Sequence, residues 1–348
     1  MTDTTSFEAG AFAARSEDAV ASRPTTGRGR ARTATASATA PAPAHSRTLR
    51  LAARPPFSFS ASLAFLRSFP AMTGQQGTAH DVLTLALREN GTTLGARVTA
   101  APDAPAVDCV LTAATPLGDA TAEAAANRLS HHLGLADDLT DFYRLARLDR
   151  PFSRVVERLY GYHQVSFPSP RELLCWAILC QRVPQPVART MKQALVEAAG
   201  NRITVDGEPR WAFPDAEQLA CFDEPTLQHL IGNQRKAGHL HRAIRQWLDL
   251  DESFLRTGPY DEVRDQLLSL AGIGPWSASF LLIRGLGRTE HLTPDKEMLR
   301  AARRVYGQDF DAAAFAALTT RYGRHQGYWG HYLRVQSDLT GSDIGSDK

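Results

Sequence analysis

The sequence predicts an α+β protein, with a small N-terminal antiparallel sheet domain followed by an all-α domain. Three observations carry that prediction. Between residues 54 and 135, three short stretches alternate apolar and polar residues with the period of a half-buried strand. From about residue 138 the alternation stops, and twelve segments follow in which apolar residues recur at helical spacing. Pro and Gly fall where such helices should begin and end: Pro170 and Pro184 at first turns, Gly200, Gly287 and Gly307 after last turns.

Residues 1–50 precede both domains and read as a disordered basic tail of low complexity. The stretch 23–45 is almost wholly Arg, Thr, Ala, Ser, Pro and Gly, which offers too little apolar surface to offset the entropy of ordering. Residues 1–60 hold eight Arg and four acids, a net of +4; the other 31 basic and 33 acidic residues net −2. The whole chain is +2, so any surface for a polyanion has to be a local patch. The tail reads equally as a loose tether for polyanions or as a dispensable extension.

In the sheet domain, 54–135, the strands are expected at 82–88, 93–98 and 107–112. The first two flank Asn90-Gly91, a two-residue hairpin signal. A helix is expected over 120–133. The helical domain, 138–338, follows with segments at 139–148, 152–160, 170–181, 184–199, 216–221, 225–231, 236–248, 260–270, 275–286, 295–306, 312–322 and 326–338.

Four cysteines, Cys109, Cys175, Cys180 and Cys221, are too few and too scattered for a zinc site. Cys175 and Cys180 stand among apolar residues and read as buried free thiols, which implies a reducing compartment. No apolar run approaches the ~20 residues that cross a bilayer, and no hydrophobic signal core is present. The expectation is a cytoplasmic, nucleoid-associated protein with no membrane partner.

The segment that carries chemistry is Leu270-Ala-Gly-Ile-Gly-Pro-Trp-Ser-Ala-Ser-Phe280. One amphipathic helix ends at Leu270, and a second is opened by Pro275. Gly272 and Gly274 are expected to permit positive φ and close backbone approach, with Ile273 plugging the gap between the helices. Backbone N–H groups at the start of the second helix can hold a phosphate without reading sequence. Downstream, Asp295 opens another helix. Position alone makes it a helix N-cap or a functional carboxylate.

Leu270-x-Gly-Ile-Gly-Pro-Trp-x-Ala278, then Leu286-Gly287, Pro294-Asp295 and Arg300, resembles the helix-hairpin-helix DNA glycosylase superfamily. The resemblance extends to Ala177-Ile-Leu-Cys-Gln181, Phe213-Pro214 and Arg235-Lys236-Ala237. Pro55-Pro56-Phe57, Gln326-Gly-Tyr-Trp329 and Tyr332-Leu-Arg334 are similar to its alkylpurine (3-methyladenine) branch. It covers about residues 54–336. The resemblance implies base-excision repair on double-stranded DNA containing a damaged base, by a monomer, with Asp295 as the catalytic carboxylate. Lyase members carry a Lys where Trp276 stands, so it implies a monofunctional hydrolase of alkylated purines. No Cys follows Cys221, which argues against the iron–sulfur cluster of some members; no metal or other cofactor is expected, apart from a monovalent cation that the hairpin could hold.

An oxocarbenium-like transition state at the sugar needs a nearby carboxylate, and a flipped cationic base needs flat aromatic faces. Trp276 and Phe280 share a helix face, and Tyr328, Trp329 and Tyr332 cluster at helical spacing; each reads either as base-stacking or as core. For the hole left in the duplex, the resemblance places a wedge at Arg182, which reads equally as an ordinary surface arginine. Gly272, Gly274, Arg235 and Lys236 are the expected backbone contacts, the last two in a basic run that is otherwise a solvated helix face. Two other readings stay open: a glycosylase for oxidised or deaminated bases, and a non-enzymatic DNA-binding module.

Overall fold

The computed structural model describes residues 45–343. The N-terminal domain contains β1 (His45–Ala52), α1 (Phe59–Arg67), β2 (Gln76–Ala79), β3 (Val82–Glu89), β4 (Thr92–Ala100), β5 (Ala106–Ala113) and α2 (Asp119–His132). Its five strands form one antiparallel sheet in the order β1-β5-β4-β3-β2. At the β3–β4 turn Asn90 and Gly91 take φ of +47° and +74°, as a two-residue turn matched to strand twist requires. His80 and Asp81 do the same between β2 and β3, at +47° and +61°.

The expected disordered tail is too long by several residues. Residues 45–50 lie in β1, which pairs with β5 from His45↔Ala113 to Ala52↔Ala106. Its two arginines mask the alternation: Arg50 lies on the solvent side, and Arg47 on the face of Leu49 and Leu51. Arg50 holds Asp108 at 2.7 Å and Asp103 at 3.0 Å, and these pairs edge the sheet with charge. Residues 1–44 of that tail lie outside the described residues.

The second domain contains α3 (Thr140–Arg147), α4 (Arg150–Arg158), α5 (Pro170–Leu179), α6 (Gln185–Ala199), β6 (Arg202–Val205), β7 (Glu208–Trp211), α7 (Ala216–Ala220), α8 (Glu224–Ile231) and α9 (Gln234–Leu248). It continues with α10 (Glu252–Thr257), α11 (Tyr260–Ser269), α12 (Pro275–Gly285), α13 (Lys296–Tyr306), α14 (Ala312–Tyr322) and α15 (Gln326–Asp343). Every expected helix is present. The expectation of helix alone fails at β6 and β7, an antiparallel hairpin closed by Asp206 and Gly207 at φ +51° and +82°. The short α10 was also not expected.

That hairpin reaches back onto the sheet. Val205 packs over Gly95 of β4, where an added Cβ would stand 2.6 Å from its Cγ2, and Asp206 accepts from Arg97 at 3.0 Å. With α1 and α2 also packed on the sheet, β3 is covered on both faces, which explains its nearly continuous burial. Further ties join the halves: Arg88 to Asp215 at 2.6 Å, Arg128 to the Pro168 carbonyl at 3.2 Å, and Lys192, which donates to both the Glu172 carboxylate and the Ala71 carbonyl. One continuous apolar core runs through both domains.

Candidate active site

The site is built where α11, α12, α13 and α15 converge. The α11–α12 turn is Ala271-Gly272-Ile273-Gly274. Ile273 is buried as the expected plug, and its N–H donates to the Leu270 carbonyl at 3.0 Å. Gly272 has φ +81°, and a Cβ there would come within 2.8 Å of His239 on α9. Both conformation and space therefore require glycine. Gly274 differs from the expectation. Its φ is −106°, and a Cβ would meet nothing within 4 Å, so nothing inside the protein demands glycine at this position. It caps α12 without a side-chain bond, and Pro275 occupies the first turn.

The α5–α6 loop is tied to this turn. Gln181 Nε2 donates to the Gly272 carbonyl at 2.7 Å. Next to it, the exposed Arg182 has φ +54°, a conformation that is uncommon for a side chain with a Cβ. Arg235 is exposed at the start of α9. Lys236 is not on that surface: it is 5% exposed, and its Nζ donates to the Leu179 carbonyl at the C-terminal end of α5. Burial pulls its ammonium down to about 8. The amphipathic turn of α9 rotates Lys236 inward while Arg235 faces out, so the phosphate contact expected of Lys236 is replaced by a helix-capping role.

Asp295 is the N-cap of α13, with Oδ1 accepting from the Met298 N–H at 2.7 Å. Its other oxygen, Oδ2, accepts from the indole N–H of Trp276 at 2.9 Å and from Arg334 of α15 at 2.5 Å. Its side chain is 17% exposed and that of Arg334 31%. Burial works against ionisation of Asp295, but the Arg334 charge, the Met298 N–H and the indole outweigh it and hold the carboxyl below its usual range. The result is an ionised carboxylate fixed by three donors from three helices. The cap reading of Asp295 holds, and the cap fixes the direction of the carboxylate.

Trp276 is half-buried and lies over Phe280, with ring centroids 5.1 Å apart and planes at 30°. Phe280 is backed edge-on by Phe167 at 6.1 Å. These rings form an aromatic floor whose outer member is bonded to the carboxylate.

Tyr328, Trp329 and Tyr332 do not join that floor. They are 5%, 0% and 0% exposed. Trp329 stacks on Tyr322 with centroids 5.6 Å apart and donates to the Tyr306 hydroxyl at 2.9 Å. Tyr328 donates to Asp137 and accepts from Gln164 N–H at 3.1 Å, and Tyr332 donates to the Tyr162 carbonyl at 2.5 Å. Each polar tip is satisfied inside the protein, so the expected base-stacking role fails and the core reading holds.

Arg334 is the site residue that sequence reasoning missed. It stood inside a recognised stretch but carried no assigned role, because its partner lies 39 positions away in sequence. Phe167 was missed as well, since it lies in the irregular segment before α5. As for a cation at the hairpin, the Leu270 and Gly272 carbonyls already accept from Ile273 N–H and Gln181. Each keeps a second lone pair, so these bonds do not exclude a cation. Among the described residues no group of three His, Cys, Asp or Glu side chains could hold a metal ion, and no helix is long and apolar enough to cross a membrane. Cys109 and Cys175 are buried and Cys180 half-buried, and burial pushes these thiols up to about 12, while Cys221 is exposed.

No protein-family profile matches the chain. It is 29% identical over 154 residues to a "DNA-3-methyladenine glycosylase" of Bacillus subtilis, a match covering 44% of this chain and 51% of the relative. It is also 29% identical over 289 residues to a "Probable bifunctional transcriptional activator/DNA repair enzyme AlkA" of Mycobacterium tuberculosis, covering 82% of this chain and 56% of the relative. The chain thus spans about half the length of the curated relatives it matches. Among solved structures, the 3-methyladenine DNA-glycosylase from Archaeoglobus fulgidus superposes with a TM-score of 0.68 at 21% identity, over 82% of this chain and 97% of that one. A Clostridium acetobutylicum 8-oxoguanine glycosylase/lyase in complex with double-stranded DNA gives 0.56 at 16% identity, over 76% and 98%. These two share the fold of this chain.

Proposed function

We infer that this chain, a member of the helix-hairpin-helix DNA glycosylase superfamily, hydrolyses the N-glycosidic bond of alkylated purines in DNA and has no lyase activity. One observation carries the reading: the Trp276 indole N–H sits 2.9 Å from the Asp295 carboxylate. A flat base stacked against Trp276 would therefore have its glycosidic bond beside a fixed negative charge. Ring-alkylated purines are cationic, and an aromatic face attracts a cation. The relatives named for 3-methyladenine support that choice of base.

In the proposed reaction the uncapped N-terminus of α12 grips a backbone phosphate through its N–H groups. Gly274 lets the phosphate approach, and the exposed Arg235 stands ready for a neighbouring one. Arg182, held out by its left-handed backbone, fills the space the base vacates. Asp295 stabilises the oxocarbenium-like sugar or orients the attacking water. Nucleophilic attack by an amine is not available from Trp276, and no step passes through a bound cation.

The test is duplex DNA carrying one methylated purine, incubated with the protein and then with or without alkali. Strand breaks only after alkali are expected. Breaks without alkali would indicate a lyase, and no breaks in either would leave a DNA-binding module.

A further inference from the structure

The molecule carries a second basic feature that the site above does not use. Between α4 and α13, closed at one end by α15, lies an open groove of about 540 Å³ with an apolar floor and an arginine rim. The rim is Arg150, Arg154 and Arg158 on one side and Arg304 on the other. The first three stand four residues apart on α4, so they share one face over about 12 Å of helix. All three are exposed, and their guanidinium groups make no hydrogen bond or ion pair among the described residues. Like charges at this spacing repel, and no carboxylate lines the groove to relieve them. Of the nearby acids, Glu297 is taken by Arg300 at 2.6 Å. Asp149 is buried under Tyr306 and Tyr322, which donate to it at 2.8 and 3.0 Å, and only Glu157 is exposed on α4.

The groove is connected to the reaction centre. Its far wall, α13, is the helix that Asp295 opens, and Arg300, Arg303 and Arg304 follow along it. Arg304 lies about 14 Å of helix from Asp295. The rim uses only arginine, whose planar fork matches phosphate oxygens two at a time.

We propose that the α4–α13 groove is a second phosphodiester-binding track, holding the DNA strand that flanks the flipped nucleotide beyond the reach of the α11–α12 hairpin. This rests on the glycosylase reading. The groove and the hairpin grip the duplex at two separated points, and the groove's contribution is electrostatic and indifferent to both lesion and sequence.

The experiment uses the full chain and its Arg150→Gln/Arg154→Gln/Arg158→Gln variant, titrated with damaged and undamaged duplexes of ~20 base pairs across a salt series. Each phosphate contact contributes ~0.9 to the slope of log affinity against log salt. The variant should therefore lose about 2–3 of that slope on both duplexes, while single-turnover excision at saturating DNA stays within about twofold of wild type. Removing mutually repelling charges should leave thermal unfolding unchanged or slightly raised, which guards against misfolding as the explanation. Equal slopes for wild type and variant would overturn the track. So would equal slopes together with capture of an acidic peptide, which would assign the groove to a protein partner. A groove-dependent slope without any excision by wild type would sink the glycosylase reading and leave the track standing. No duplex binding by wild type would overturn both.

Discussion

Asp295→Asn separates the helix cap from the proposed catalytic role of the carboxylate most sharply. Asparagine caps a helix about as well as aspartate, so the bond to the Met298 N–H can survive. The other oxygen cannot be replaced. An amide that keeps its oxygen on Met298 turns its NH2 toward the Trp276 N–H and the Arg334 guanidinium, which are both donors. Flipping the amide restores one acceptor there and loses the cap. Either way a charge-assisted bond goes, typically ~1.5–3 kcal/mol. Because Arg334 is 31% exposed and can turn to water, about 1–2 kcal/mol is the expected net cost, or roughly 1.5–3 °C in Tm for a folded chain of about 300 residues. Excision should fall much further. Losing a preorganised charge at the transition state costs about 3–4 kcal/mol, a hundred- to a thousand-fold in rate. Asp295 sits below its usual 3.8 in the folded protein. Its stabilising contribution is therefore complete above the unfolded pKa and disappears as pH falls through the folded one. The stability gap between wild type and variant should accordingly close in acid. The assay is single-turnover release of a methylated purine at saturating DNA, well below both melting temperatures. Near-normal excision would reduce Asp295 to a helix cap. A stability gap that widened in acid would refute the electrostatic account.

Other perturbations bear on neighbouring parts of the reasoning. Gly274→Val should leave the fold intact, since nothing lies within 4 Å of its Cβ, yet weaken binding to damaged and undamaged duplex alike; unchanged affinity for undamaged DNA would remove the hairpin from the interface. Borohydride added during the reaction should trap no covalent protein–DNA adduct, and an adduct lost in Lys296→Ala would overturn the monofunctional assignment. Trp276→Lys should excise more slowly, with any trapped adduct a minor product resolved by gel. Lys236→Met should lower Tm, by an amount reflecting ~1–3 kcal/mol for the unpaired Leu179 carbonyl, while leaving the salt dependence of DNA binding unchanged; a reduced salt slope would return Lys236 to the phosphate contacts.

The order of domains, the three central strands and the hairpin with its downstream Asp295 were legible because each depends on local pattern. β1 was lost to its arginines, whose carboxylate partners on β5, beside it and on α2 appear only once the domain is assembled. The β6–β7 hairpin had a usable local signal, Asp206-Gly207 between strand-forming residues, which the surrounding run of helical segments obscured. The site was legible less completely. Spacing placed Trp276 and Phe280 together correctly, because one helix turn fixes their neighbourhood. It could not tell inward from outward for Tyr328, Trp329, Tyr332 and Lys236, whose partners come from α3, the segments around 137 and 159–164, α14 and the end of α5. Arg334 needed the tertiary fold, since nothing in a helix register announces a partner on another helix.

The strand hairpin that reaches from the helical half onto the sheet has a consequence for dissection. A fragment that keeps the Trp276–Asp295 pair but omits the sheet would be one way to shorten the protein. In this chain that cut would strip Val205 of its seat on Gly95, leave Asp215 without Arg88, and remove the Ala71 carbonyl from the buried Lys192. A fragment beginning near residue 138 would expose apolar surface and uncompensated charge together, the combination that sends recombinant protein into inclusion bodies.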